Sequence, residues 1–119
     1  MAETAPAAYV PDRGDLVCLT FNPQAGHEQT GRRLALALSP VQYNRTIVLA
    51  LFCPIISQKK GYPFEVALPD RHDISGVVLA DKVRNLYWNA RQIAFIAKAP
   101  LHVVTEVLGK LDRLLKVGK

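Results

Sequence analysis

From Asp15 to Phe21 the chain reads DLVCLTF, apolar and polar positions alternating in residue types that favour extended backbone, and Asn22-Pro23 ends the run. A period of two predicts a strand followed by a loop. Leu34–Leu38 (LALAL) and Ile47–Phe52 (IVLALF) are apolar runs of strand length. Ser39-Pro40 and the polar stretch Tyr43–Thr46, read as a turn, separate them. They predict an antiparallel pair in the core. Glu65–Leu68, Gly76–Ala80, Lys82–Trp88 and Gln92–Ala97 add short strands at close spacing, the pattern of a small barrel rather than of βαβ units. After Pro100 the period changes. Val103, Val104, Val107, Leu108, Leu111, Leu114 and Leu115 fall on one side and Glu106, Lys110, Asp112 and Arg113 opposite. This predicts a helix with proline near its first turn, one that covers the core or packs a dimer. The class is therefore mainly β, a small closed barrel of about five to seven strands with a C-terminal α-helix.

Composition narrows this picture. A chain of 119 residues, half of them hydrophobic, can bury one ordinary core and not two. Residues 1–8, small and Ala-rich, read as a flexible leader, and 9–119 as a single domain. Fifteen basic against ten acidic residues give a formal charge of +5, which favours an anionic partner such as nucleic acid or an acidic protein segment. Cys18 and Cys53 sit in apolar runs without metal-ligand spacing and read as buried free thiols of a reducing compartment. The longest apolar run, Ile47–Ile56, is broken by Pro54 and is far shorter than the ~20 residues of a membrane span. The N-terminus, MAETAPAAY, has neither a basic lead nor an apolar core, so no secretion signal is expected and a cytoplasmic setting is.

Candidate chemistry gathers in two blocks. The loop Asn22–Arg33, framed by Gly26 and Gly31, carries His27, Glu28, Arg32 and Arg33. The second block, CPIISQKKGYPFEV from Cys53 to Val66, carries Ser57, Gln58, Lys59, Lys60 and Tyr62. Metal-assisted phosphodiester cutting needs clustered carboxylates or histidines. Here His27, His72 and His102 are scattered and no acidic pair has ligand spacing, so neither metal nor cofactor is expected.

Both blocks resemble the MazF/PemK/Kid family of bacterial toxin endoribonucleases. Its members carry a loop E-Q-x-G-x-R-P, a strand ending in L-S-P, and a block Q-x-K-G-Y-P-F-E-V. These patterns are matched here by Glu28–Leu34, Leu38–Pro40 and Gln58–Val66, and the resemblance runs over about residues 9–118. It implies an SH3-like barrel and metal-independent, sequence-specific cleavage of single-stranded RNA, chiefly mRNA. In that reaction the RNA's own 2′-OH attacks the adjacent phosphorus, leaving a 2′,3′-cyclic phosphate and a 5′-OH end. It further implies a homodimer and an acidic antitoxin that blocks the RNA groove.

Carried onto this chain, the resemblance makes Arg33 the catalytic arginine and Ser57 the counterpart of a threonine hydroxyl. Arg33, protonated at neutral pH, suits an electrostatic clamp on the phosphate rather than a base. Ser57 can donate one hydrogen bond to a nonbridging oxygen. Glu28 is the expected proton acceptor, with His27 the alternative. Arg32, Gln58, Lys59, Lys60, Tyr62 and His27 form the expected RNA track. Each residue also has a structural reading: Arg33 pairing with Glu28, Glu28 capping backbone amides, Ser57 as a turn hydroxyl, and Phe64 as core. Four positions depart from the family pattern: Leu34 for proline, Ser57 for threonine, Cys18 for tryptophan and Asn22 for aspartate. Leu34 lifts the restriction that proline would place on Arg33, so weaker preorganisation is expected. Two rivals remain open at this point: a gyrase-directed toxin on the same barrel, and a non-catalytic binding module.

Overall fold

The computed structural model describes residues 9–21, 31–70 and 74–116; residues 1–8, 22–30, 71–73 and 117–119 lie outside the described residues. Seven antiparallel strands make the body: β1 (Asp15–Thr20), β2 (Arg32–Ala37), β3 (Ala50–Ile56), β4 (Glu65–Ala67), β5 (Val77–Leu79), β6 (Arg84–Leu86) and β7 (Ala94–Lys98). A short helix α1 (Val41–Ile47) links β2 to β3, a 3₁₀ turn spans Trp88–Ala90, and α2 (Leu101–Leu115) closes the chain. The strands run β4-β5-β3-β2-β1-β7, with β6 also on β3. This is the mainly β architecture with a C-terminal helix that the pattern predicts.

The alternation of LALAL explains why β2 lies at the centre. Leu36 and Leu38 join one buried cluster with Leu16, Cys53, Ile55, Val66 and Val78, while Ala35 and Ala37 join a second with Val17, Leu19, Phe52, Leu86 and Trp88. Both faces of β1 and β2 are buried, so the run reads as continuous apolar sequence. The first two turns of α2 seal the Leu face with Val103, Val104 and Val107. Further along the helix, Leu108, Leu114 and Leu115 are exposed. The expected closed barrel takes a looser form: the ladder path ends at β4 and β7, and the helix packs over the cluster that both ends of the path share.

Two boundaries differ from the sequence expectation. Tyr43–Thr46, read as a turn, belongs to α1, because its polarity is spent inward. Asn44 is fully buried and its amide donates to the Pro11 carbonyl at 2.7 Å and the Ser39 carbonyl at 2.9 Å, while its own oxygen accepts from the Ser39 hydroxyl at 2.6 Å. No side chain at the helix's own start caps it; Asp12, distant in sequence, accepts the Val41 N–H at 2.9 Å instead. The second difference is that the strand expected at Ile47–Phe52 starts later and runs through Pro54 to Ile56. Pro54 is tolerated because β3 changes neighbour there. Its partner on one edge is β6 up to Phe52↔Arg84 and β5 from Ile55↔Val78, so no ladder is waiting for the N–H that proline lacks.

Candidate active site

The β2–β3 ladder ends at Ala35↔Pro54. Beyond it β3 follows β5, and the ends of the two strands bound an open cleft of about 490 Å³ lined by Arg32, Arg33 and Leu34 from β2, Ile55, Ile56 and Ser57 from β3 and its end, and Ser75 from the turn before β5. Arg33 and Ser57, far apart in sequence, therefore share one cavity. Both are exposed. None of the cleft's described lining residues is acidic, and hydroxyl donors beside a guanidinium make a receptor for an anion.

Arg32 and Arg33 are strand residues rather than loop residues. β1 and β2 stay in register through Cys18↔Leu34, Leu19↔Arg33 and Thr20↔Arg32, so the ladder fixes the backbone of Arg33 and of the residues on either side of it. That pairing supplies the order that proline would otherwise give at Leu34. Leu34 itself is half-buried against the core. The neighbouring guanidinium is a structural tie. Arg32 donates to the Gln92 carbonyl at 2.8 Å and the Cys18 carbonyl at 3.3 Å, joining the strands' edge to the turn before β7. Its charge stays at the rim of the cleft, with two of its donors engaged.

The remaining predicted residues lie on the far side of Ile56. Gln58 is exposed beside Ser57. Lys60, Tyr62, Glu65 and Lys82 line a second depression of about 380 Å³, which shares Ile56 with the first. Lys59 faces a third, of about 340 Å³, with His102 and Glu106 of α2. The loop that carries them is well tied. Glu65 accepts the N–H groups of Lys60 at 2.9 Å and Gly61 at 3.2 Å, and Lys110 of α2 donates to the Pro63 carbonyl at 2.8 Å. The Tyr62 hydroxyl donates to the Asp81 carboxylate, and this bond is the main reason the phenol's pKa is raised. The ring stays 38% exposed, tilted against Phe64 at 5.9 Å. Phe64 packs against the core, as its structural reading required.

His27 and Glu28 lie outside the described residues. Ser75 was missed by sequence reasoning, since an isolated serine before a glycine carries no motif and only the β3–β5 pairing brings it beside Ser57. Cys18 is half-buried rather than buried. Cys53 is buried, and loss of solvation pushes its thiol up to about 12, which makes it a packing residue rather than a nucleophile. Among the described residues no three His, Cys, Asp or Glu side chains form a group that could hold a metal ion, and no helix is long and apolar enough to cross a membrane.

Comparison with known proteins places the chain in a family. MazF of Deinococcus radiodurans superposes with a TM-score of 0.82 at 56% identity, covering 91% of this chain and 98% of that one. The same toxin in a MazE–MazF structure gives 0.83 at 53%, covering 92% and 100%. In sequence, the endoribonuclease toxin MazF of Escherichia coli K12 is 48% identical over 83 residues, 70% of this chain and 74% of its own length. Endoribonuclease PemK of Escherichia coli is 33% identical over 109 residues, 87% of this chain and 81% of its own. The model of the PemK-like, MazF-like toxins of type II toxin–antitoxin systems matches residues 12–115, and the chain belongs to that family.

Proposed function

We propose that the chain is a sequence-selective endoribonuclease toxin that cuts single-stranded RNA without a metal, by attack of the RNA's own 2′-OH, and so slows translation and growth. The observation that carries this reading is the meeting of Arg33 and Ser57 in one cleft with no acidic side chain among its described lining residues. The chain's relatives are named endoribonucleases, which supports it further.

The 2′-oxygen, phosphorus and departing 5′-oxygen must lie in line, and holding them so removes much of the barrier. Charge builds on the nonbridging oxygens as phosphorus becomes pentacovalent. The Arg33 guanidinium answers that charge more strongly than it answers the ground state, which is what makes it catalytic. Ser57 donates to one nonbridging oxygen and limits rotation of the phosphate. Glu28 takes the 2′-OH proton in this reading, with His27 the alternative. The 2′-O–P bond forms as the P–O5′ bond breaks, giving the 2′,3′-cyclic phosphate, and the 5′-oxygen takes a proton from solvent and leaves as a hydroxyl. Lys59, Lys60 and Tyr62 hold the strand beyond the cut.

The same reading includes a cytoplasmic setting, a homodimer and an acidic antitoxin. The charge of +5 suits the antitoxin. The second copy has an apolar groove of about 530 Å³ available to it, where Leu108, Leu111 and Leu115 of α2 face Tyr43 and Leu51. Sedimentation of the parent beside Leu51→Asp and Leu108→Asp tests that face. A dimer converted to a folded monomer, with a melting point that no longer depends on protein concentration, is expected; a dimer untouched by both changes places the interface elsewhere.

The test of the activity is incubation of the purified protein with a long single-stranded RNA in EDTA, with mapping of the new ends and Arg33→Ala alongside. Cuts at one short motif with 5′-OH ends, absent in the variant, are the expected result. Uncut RNA would overturn the ribonuclease reading.

A further inference from the structure

The turn into β5 approaches the end of β3 more closely than side chains allow. Gly76 has φ +126°, and a Cβ built there would overlap the Ile56 carbonyl oxygen and stand 3.1 Å from the Ile56 carbonyl carbon and 3.3 Å from the Ser57 Cα. Only glycine takes that dihedral without strain, and only glycine leaves that space. The contact bears on the peptide that presents Ser57, and the β3–β5 register continues from it through Ile56↔Val77. Ser75, one residue earlier, is exposed and lines the cleft together with Ser57 and Arg33.

We propose that Ser75 is a second phosphate-binding hydroxyl of this cleft, and that Gly76 is the positioning residue that sets Ser75 and Ser57 side by side. A phosphodiester has two nonbridging oxygens. One guanidinium and one hydroxyl leave acceptor lone pairs on them unsatisfied, and a second donor from the β5 side meets that need without adding charge. The hydroxyls belong to different segments, so their separation depends on how closely the segments meet, and Gly76 fixes that approach. The proposal deepens the ribonuclease reading and rests on it for the identity of the anion as an RNA phosphate.

The test uses the full chain. After the cleavage motif is mapped, an oligoribonucleotide containing it gives kcat and KM, and the same oligonucleotide with a 2′-deoxynucleotide at the scissile position gives binding by fluorescence anisotropy. Ser75→Ala is expected to lower kcat/KM by about tenfold or more, the loss of a hydrogen bond to a charged group, with the melting point unchanged. Ser75→Thr should restore most of it. Gly76→Ala is expected to lower kcat in the parent and to add little in a Ser57→Ala background, since its effect passes through Ser57; a merely structural glycine would cost the same in both. Ser75→Ala equal to the parent, while Arg33→Ala is inactive, overturns the proposal and leaves the ribonuclease reading standing. A parent that cuts no RNA defeats the ribonuclease reading instead. Binding of the long single-stranded RNA then decides: weaker binding by Ser75→Ala upholds an anion cleft, and equal binding overturns it.

Discussion

Two adjacent arginines with the same chemistry have different surroundings here, and the difference lies in what each guanidinium touches. Arg32 holds the Gln92 and Cys18 carbonyls, whereas Arg33 is exposed in the cleft beside Ser57. Arg33→Ala is expected to lower kcat by about 10²–10³, the usual loss for one preorganised donor to a developing anion, while leaving thermal stability unchanged. Arg32→Ala should instead lower stability by about 1 kcal/mol, from one exposed and one part-buried hydrogen bond to carbonyls. Paired melts and initial rates separate the roles. If Arg33→Ala melted as much lower as Arg32→Ala does, the exposed guanidinium would have a structural role that the cleft does not suggest. Asn44 makes a related point about polarity. A residue that reads as a turn former from its neighbours is fully buried, because its amide satisfies Pro11 and Ser39 at once.

Among the elements, α1 is the one most dependent on a remote residue. Asp12 caps it by accepting the Val41 N–H and is also met by the Arg13 N–H at 2.9 Å and Lys98 at 3.7 Å. Desolvation acts to raise its pKa, but the two backbone donors and the Lys98 ammonium outweigh it, so the carboxyl titrates below its ordinary 3.8. A depressed folded pKa means that the stabilisation is complete above the unfolded value and is lost as pH falls through the folded one. Asp12→Asn should therefore melt lower than the parent at neutral pH, and the two should converge as pH drops below about 4. Melts taken across that range check it, and a constant gap down to strong acid would assign the cap to another group. Elsewhere at this scale, the β1–β2 ladder does for Arg33 what a following proline would do. Leu34→Pro is accordingly expected to change the cleavage rate by less than about fivefold, under ~1 kcal/mol of barrier. A large gain in rate would show that the ladder leaves Arg33 loose.

For the whole molecule, net charge and its placement govern RNA affinity. The chain carries +5, and Lys59 and Lys60 open onto depressions on the far side of Ile56 from the cleft of Arg33 and Ser57. Each phosphate they contact should contribute about −0.7 to the slope of log K against log salt for a single strand. Replacing either by Ala is expected to make that slope shallower by about this amount and to raise KM more than it lowers kcat. An unchanged slope for both would mean that these lysines only solvate the loop. The apolar residues exposed on α2 belong to the same scale, because a helix that seals a core with Val103, Val104 and Val107 has no need of Leu108 and Leu115 unless something covers them.

Period and residue type determined much of this in advance. Alternation marked β1 and β2 as strands, the change to a helical period after Pro100 marked α2, and the E-Q-x-G and GYPFEV blocks marked the family, because local backbone preference and short motifs are written in neighbouring residues. Tertiary structure decided the rest. Asn44 inside α1, the point where β3 changes partner at Pro54, the different surroundings of Arg32 and Arg33, and the arrival of Ser75 and Gly76 beside Ser57 all depend on which distant segments meet. Strand pairing brings those segments together through hydrogen bonds and burial that no stretch of sequence contains by itself.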